Sequence, residues 1–206
     1  TVTIQSDSFS ARVPVSLHVR HFAISDVTHT RTSYKVNVNT YWHGLTNRTQ
    51  EKEVWELYMQ NFRKHRVSPF APHTYAPVDW SFYSLQFYFN YAEFDKSMER
   101  YIDEFGFNGF NLMDLPKTLP WYYGWYSPFS LEYRYYLGRI LQPIMDHVRE
   151  KGWEDQAYCF WFDEPQQSAY SYVSQGLNAI RDAAPGLNRL LTHYPDSTFY
   201  GDVDTW

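Results

Sequence analysis

The sequence predicts an α/β protein: a (β/α)8 TIM-like barrel, incomplete over these 206 residues and entered from the tail of a β-rich element. Three observations carry this. Short apolar and aromatic runs alternate with stretches of helical periodicity, the order that produces a parallel sheet covered by helices. One run, Tyr158–Phe162, is apolar without alternation, as in a strand buried on both faces. No Gly-rich phosphate turn of the G-x-G-x-x-G or G-x-x-x-x-G-K kind supports a doubly wound sheet instead.

Residues 1–32 read as the end of an N-terminal β-rich region or linker, because Val13-Pro-Val-Ser-Leu-His-Val-Arg alternates like a half-exposed strand. Residues 33–206 form the partial barrel, a catalytic domain. Ser33–Trp42 alternates and is taken as its first strand. Val54, Leu57, Tyr58 and Phe62 then fall at helical spacing and predict a helix over Gln50–Arg66. Val67–Ala71 is a second, short strand. A proline-interrupted loop at 71–81 contains Trp80, and Phe82–Phe89 reads as another strand. Phe94–Phe105 is a helix stopped by Gly106 at its C′ position. The strand Phe107–Met113 follows, then an aromatic loop over Leu119–Pro128. Leu131–Lys151 is a long helix with Pro143 as a point of bending. After the Tyr158–Pro165 strand come a helix over Gln166–Ala183, a strand at Arg189–Tyr194 and the start of another at Val203–Trp206. These make about six strand–helix beginnings, against the eight of a closed barrel of ~250 residues, so the chain is expected to stop before closure.

The formal charge is −5, and no run of Lys and Arg forms the basic stripe of a nucleic-acid binder. Aromatics reach 20%, with 19 Tyr and 8 Trp, an excess that suits stacking platforms for carbohydrate as well as core packing. Cys159 is the lone cysteine, so no intrachain disulfide forms, and its place in a buried strand marks it as an inert thiol. No apolar run has transmembrane length and no signal-peptide pattern is visible. His18, His21 and His43 lack metal-ligand spacing, so neither a metal nor a cofactor is expected.

The buried run ends abruptly in Asp163 and Glu164, and Pro165 stops the ladder because it has no N–H. Carboxyl ends of barrel strands are where chemistry sits. Two carboxylates this close are expected to separate their ionisation, one holding its proton to higher pH and serving as an acid. The competing reading is that both only cap the next helix. Adjacent residues on an extended chain point to opposite sides, so catalysis also requires a kink or bulge to turn one of them.

Several pieces in order resemble one family: the lead-in VPVSLHVRHFAI, the strand ending in Ser68-Pro69, Glu93-Phe94-Asp95 before a helix, FGFNGFNLM, the Phe162-Asp163-Glu164-Pro165 strand end and a late Asp202-Val-Asp-Thr-Trp. The chain is similar over most of its length to the catalytic region of glycoside hydrolase family 123, the retaining β-N-acetylgalactosaminidases. The resemblance implies an N-terminal β-sandwich, here reduced to its last strand, joined to a TIM-like barrel. It implies substrate-assisted catalysis, in which the 2-acetamido oxygen of the sugar is the nucleophile. Asp163 would then orient the acetamido N–H and stabilise the oxazolinium intermediate, and Glu164 would be the general acid and base. A glycan or glycoside substrate and a secreted, periplasmic or cell-surface location follow from the resemblance alone. Galacto- and gluco-configured sugars both stay open.

Around this pair, Trp121, Tyr123 and Trp125 lie in a loop with five rings in six positions, suited to sugar stacking. Tyr194 ends the next strand and is a candidate to hold the acetamido carbonyl. His193 beside it is a candidate hydroxyl contact or a structural histidine. Asn111 and Asp114 follow the FNGFNLM strand and are candidates for sugar hydroxyls or for a turn. Trp42 and Trp206, also at strand ends, are candidate pocket walls. Two other functions compete: a two-carboxylate retaining glycosidase whose nucleophile lies outside this chain, and a non-catalytic carbohydrate-binding protein.

Overall fold

In the computed structural model, which describes residues 1–23, 25, 27–113 and 127–206, the centre is a parallel sheet of three strands in the order β5-β6-β7. β5 is Phe110–Asn111, β6 Ala157–Asp163 and β7 Asn188–Thr192. Single bridges extend the same parallel order on both sides. Tyr34 pairs with Pro69, the Phe70 carbonyl accepts from Asn111 N at 2.7 Å, and Leu191 N donates to Thr205 O at 3.0 Å. β6 is buried through Ala157, Tyr158, Cys159 and Trp161, as its unalternating sequence predicts.

Four α-helices accompany the sheet among the described residues: α1 Arg48–Lys64, α2 Ala92–Met98, α3 Leu131–Glu150 and α4 Tyr170–Ala183. Asn47 caps α1 by accepting from Gln50 N at 3.0 Å, and Arg63 and Lys64 lie in its last turn, where cations favour the dipole. Its buried face is Trp55 and Met59, rotated from the expected stripe, so Leu57 faces solvent. α2 continues as a π-helical turn over Glu99–Glu104, and Gly106, at φ +74°, ends it. α3 begins at Ser130, whose hydroxyl accepts from Tyr133 N at 3.2 Å. It buries Leu137, Ile140, Leu141, Ile144, Met145 and Val148, a stripe at three- and four-residue spacing. Pro143 sits inside α3 without ending it. α3 packs on α4, which buries Val173, Leu177 and Ile180.

Two antiparallel hairpins accompany the sheet among the described residues. β1 (Val2–Ser6) pairs with β2 (Phe9–Val13), and the pair is almost wholly exposed. β3 (Asp79–Tyr83) pairs with β4 (Gln86–Asn90) and turns its Trp80, Phe82, Phe87 and Phe89 side inward, with Phe82 and Phe87 against Tyr136 of α3. Among the described residues, no helix is long and apolar enough to cross a membrane.

The expected (β/α)8 TIM-like barrel, even an incomplete one led by a sandwich strand, is overturned. The described strands form sheets of two, two and three, and no barrel is present among them. The protein is a small mixed α/β structure. Two misread segments explain much of the difference. Phe82–Phe89 is not a barrel strand but folds back on itself, through Ser84 and Leu85 at φ +50° and +62°. Ser33–Trp42 contributes only the Tyr34 bridge, and the alternating Val13–Arg20 stretch is not a strand beyond Val13.

Candidate functional site

At the carboxyl end of β6 the ladder slips. Phe160 pairs with Leu190 and Asp163 with Thr192, so three steps on β6 match two on β7. This bulge re-aims the end of the strand. Glu164 follows in the left-handed region, at φ +42°, a backbone conformation that side chains with a Cβ rarely adopt and that clusters at functional sites. Pro165 is buried, whereas Asp163 and Glu164 are both exposed. Thr192 ties the two together. Its hydroxyl donates to Asp163 Oδ1 at 2.6 Å and accepts from Glu164 N at 3.3 Å. Asp163 Oδ2 and the Glu164 carboxylate have no hydrogen-bond partner among the described residues. Neither carboxylate caps the following helix: Gln166 stands at the N-cap of a short 3-10 turn and Ala169 at that of α4.

The other candidates divide. His193, at the end of β7, has both ring nitrogens engaged: Nδ1 donates to Tyr194 O at 2.7 Å, and Nε2 pairs with the Tyr170 hydroxyl at 3.0 Å. It therefore serves as a strut between α4 and the chain after β7. Tyr194 leaves its side chain 88% exposed beside it. Trp206 packs on Phe199, which in turn meets Tyr170 and His193, so it belongs to the same aromatic group. Trp42 lies instead in the turn before α1, its ring edge-on to Tyr41 and 80% exposed. Asn111 is fully buried, and its Oδ1 accepts from Phe160 N at 2.8 Å, so this oxygen joins β5 to β6 rather than facing a rim. Asp114, Trp121, Tyr123 and Trp125 lie outside the described residues.

Two groups escape a local reading of the sequence. Thr192 meets Asp163 only because the bulge sets the register, a long-range pairing without a local signature. The second is a cavity of about 380 Å³ between the 71–78 loop, Trp80 and the residues that end β5. His73 borders it, 6% exposed and edge-on to Phe94 and Phe110. Burial alone pushes its imidazole down to about 4. The one sequence signal for it was a histidine set among prolines directly after a strand, Ala71-Pro72-His73-Thr74. The cavity wall is joined to β6 three residues before Asp163, through the Asn111–Phe160 bond and the Phe70 ring, 5.7 Å from that of Phe160.

No family model and no curated protein matches the chain. Among solved structures it is similar to a family 123 glycoside hydrolase from Clostridium perfringens, one analysed for the details of glycolipid glycan hydrolysis. The TM-score is 0.58 at 16% identity, over 86% of this chain and 37% of that one. The chain thus spans little more than a third of that structure, and at this identity what the two share is a fold.

Proposed function

We propose that the protein is a glycoside hydrolase that removes β-linked N-acetylgalactosamine or a related N-acetylhexosamine by substrate-assisted catalysis. The observation that carries this is the exposed Asp163–Glu164 pair at a bulged strand end, with Thr192 holding one oxygen of Asp163. The likeness of fold to a family 123 glycoside hydrolase supports it.

In the proposed reaction the 2-acetamido oxygen attacks the anomeric carbon as the glycosidic bond breaks. Asp163 Oδ2 accepts from the acetamido N–H, raising the nucleophilicity of the carbonyl oxygen and balancing the positive charge of the oxazolinium. Glu164 gives its proton to the departing glycosidic oxygen. It then removes one from the water that reopens the ring, so configuration is retained and the carboxyl group is restored.

The test is hydrolysis of β-N-acetylgalactosaminides by wild type, Asp163→Asn and Glu164→Gln. Each variant is expected to lose at least ~10²-fold in kcat/KM. The Glu164→Gln loss should be deeper on an alkyl glycoside than on a nitrophenyl one, because nitrophenolate leaves with little help from an acid. A thiazoline mimic of the oxazoline should inhibit the wild type. Wild-type rates in Glu164→Gln on the alkyl glycoside would remove the proposed acid.

A further inference from the structure

We infer that Thr192 is a positioning residue for this reaction: its hydroxyl holds one oxygen of Asp163 and so sets the plane in which the other meets the 2-acetamido N–H. The assignment rests on the hydrolase reading and adds to it a residue that acts only through Asp163.

Phe160 pairs with Leu190, and an unbroken ladder would go on to set Phe162 beside Thr192 and Asp163 beside His193. The bulge moves Asp163 onto Thr192 instead. His193 would be a poor substitute, because both its ring nitrogens are engaged, by Tyr194 O and by the Tyr170 hydroxyl. A threonine hydroxyl has one proton and two lone pairs. Glu164 N–H takes a lone pair at 3.3 Å, and the proton goes to Asp163 Oδ1 at 2.6 Å. The short bond to a charged acceptor is the stronger of the two, so the consequence falls on Asp163 rather than on Glu164. The outer torsion of an aspartate is broad, and a donor fixed on Oδ1 narrows it. Oδ2, which has no hydrogen-bond partner among the described residues, is thereby held out as an acceptor of fixed direction. Asp163 and Thr192 are both exposed, so water replaces a lost hydroxyl as a donor but not as a guide. The expected effect is therefore a loss of orientation, smaller than the loss of the carboxylate itself.

The experiment measures kcat/KM of the whole chain on alkyl and nitrophenyl β-N-acetylgalactosaminides, for wild type, Thr192→Val, Thr192→Ser, Asp163→Asn and the double variant Thr192→Val/Asp163→Asn. Valine keeps the branched shape that suits a strand and removes the hydroxyl. Thr192→Val should lose about tenfold, equally on both glycosides, and Thr192→Ser should recover to within about threefold of wild type. Combined with Asp163→Asn, it should cost nothing further. In Asp163→Asn the amide oxygen accepts from Thr192, which turns the amide NH2 on the acetamido N–H, donor against donor; releasing that amide does no added harm. If Thr192→Val does not fold, Thr192→Ala serves in its place with the same expected loss. An active wild type matched by Thr192→Val, or losses that multiply in the double variant, would overturn the assignment and leave the hydrolase standing. A loss much deeper on the alkyl glycoside would put the hydroxyl in the service of Glu164 and overturn it as well. A wild type that hydrolyses no β-N-acetylhexosaminide ends the hydrolase reading first, and this assignment with it.

Discussion

His73 makes the fold itself sensitive to acid. Burial lowers its pKa from 6.5 to about 4, so between these values the unfolded chain takes up a proton that the folded chain refuses. Stability from this group is therefore full above pH 6.5 and declines as pH falls towards 4. At 1.36 kcal/mol for each pH unit, the loss reaches ~3 kcal/mol at most. Urea midpoints at pH 7, 5.5 and 4.5 are expected to fall more steeply for wild type than for His73→Phe; parallel curves would show that His73 takes its proton in the folded state. Side chains differ in how far their role can be read before folding. Asp163 and Glu164 stand out because they end an unbroken apolar run. Asn111 misleads because β5 pairs with β6 only as far as Tyr158, which leaves the Phe160 N–H to a side-chain acceptor. Nothing near Asn111 in sequence reveals that need.

The helices were legible and the hairpins were not. The α3 stripe follows directly from a 3.6-residue period, and Gly152, just past its end at φ +76°, marks its stop as a glycine at positive φ should. The β3–β4 turn hides because its left-handed residues are Ser84 and Leu85 rather than Asn and Gly, so eight aromatic-rich residues look like one strand. Equally hidden is the contact between α4 and β6. A Cβ built on Gly176 would lie 2.0 Å from Trp161 Cη2 and 2.1 Å from Cζ3, so the helix can pass only where that residue has no side chain. Trp161 is itself 2% exposed and packed against Phe129 and Tyr172, which limits its retreat. Gly176→Ala should therefore destabilise the protein by ~1–3 kcal/mol or more through overpacking. The helix-propensity gain of about 1 kcal/mol offsets only part of this. Equilibrium urea unfolding reads the difference, and a variant as stable as wild type would mean that the indole has room to turn. Because Trp161 lies two residues before Asp163, the same substitution should also lower kcat on any substrate that Asp163 serves.

At the scale of the molecule, alternating strands and helices correctly implied a parallel sheet, but counting strand-like runs overestimated how many belong to it. β5, β6 and β7 are joined by real ladders; the segments at 34, 69 and 205 touch this order through single bridges. Stability is distributed accordingly. Ile144, Val148, Ile180 and Leu191 are fully buried around the sheet, whereas Ile4 and Phe9 of the first hairpin are 54% and 59% exposed. A two-stranded ribbon without a buried face is marginal in water, because its few hydrogen bonds must oppose the chain entropy unaided. Native-state hydrogen exchange should divide the molecule along this line. Amides in β6 and in the buried face of α3 are expected to exchange only through global unfolding, with the full denaturant dependence of that transition. Amides of β1 and β2 should exchange by local opening, with protection orders of magnitude lower and almost independent of denaturant. If the β1–β2 amides instead share the protection and denaturant slope of Cys159 and Phe160, the ribbon unfolds together with the core, and the account of the core around β5-β6-β7 is too narrow.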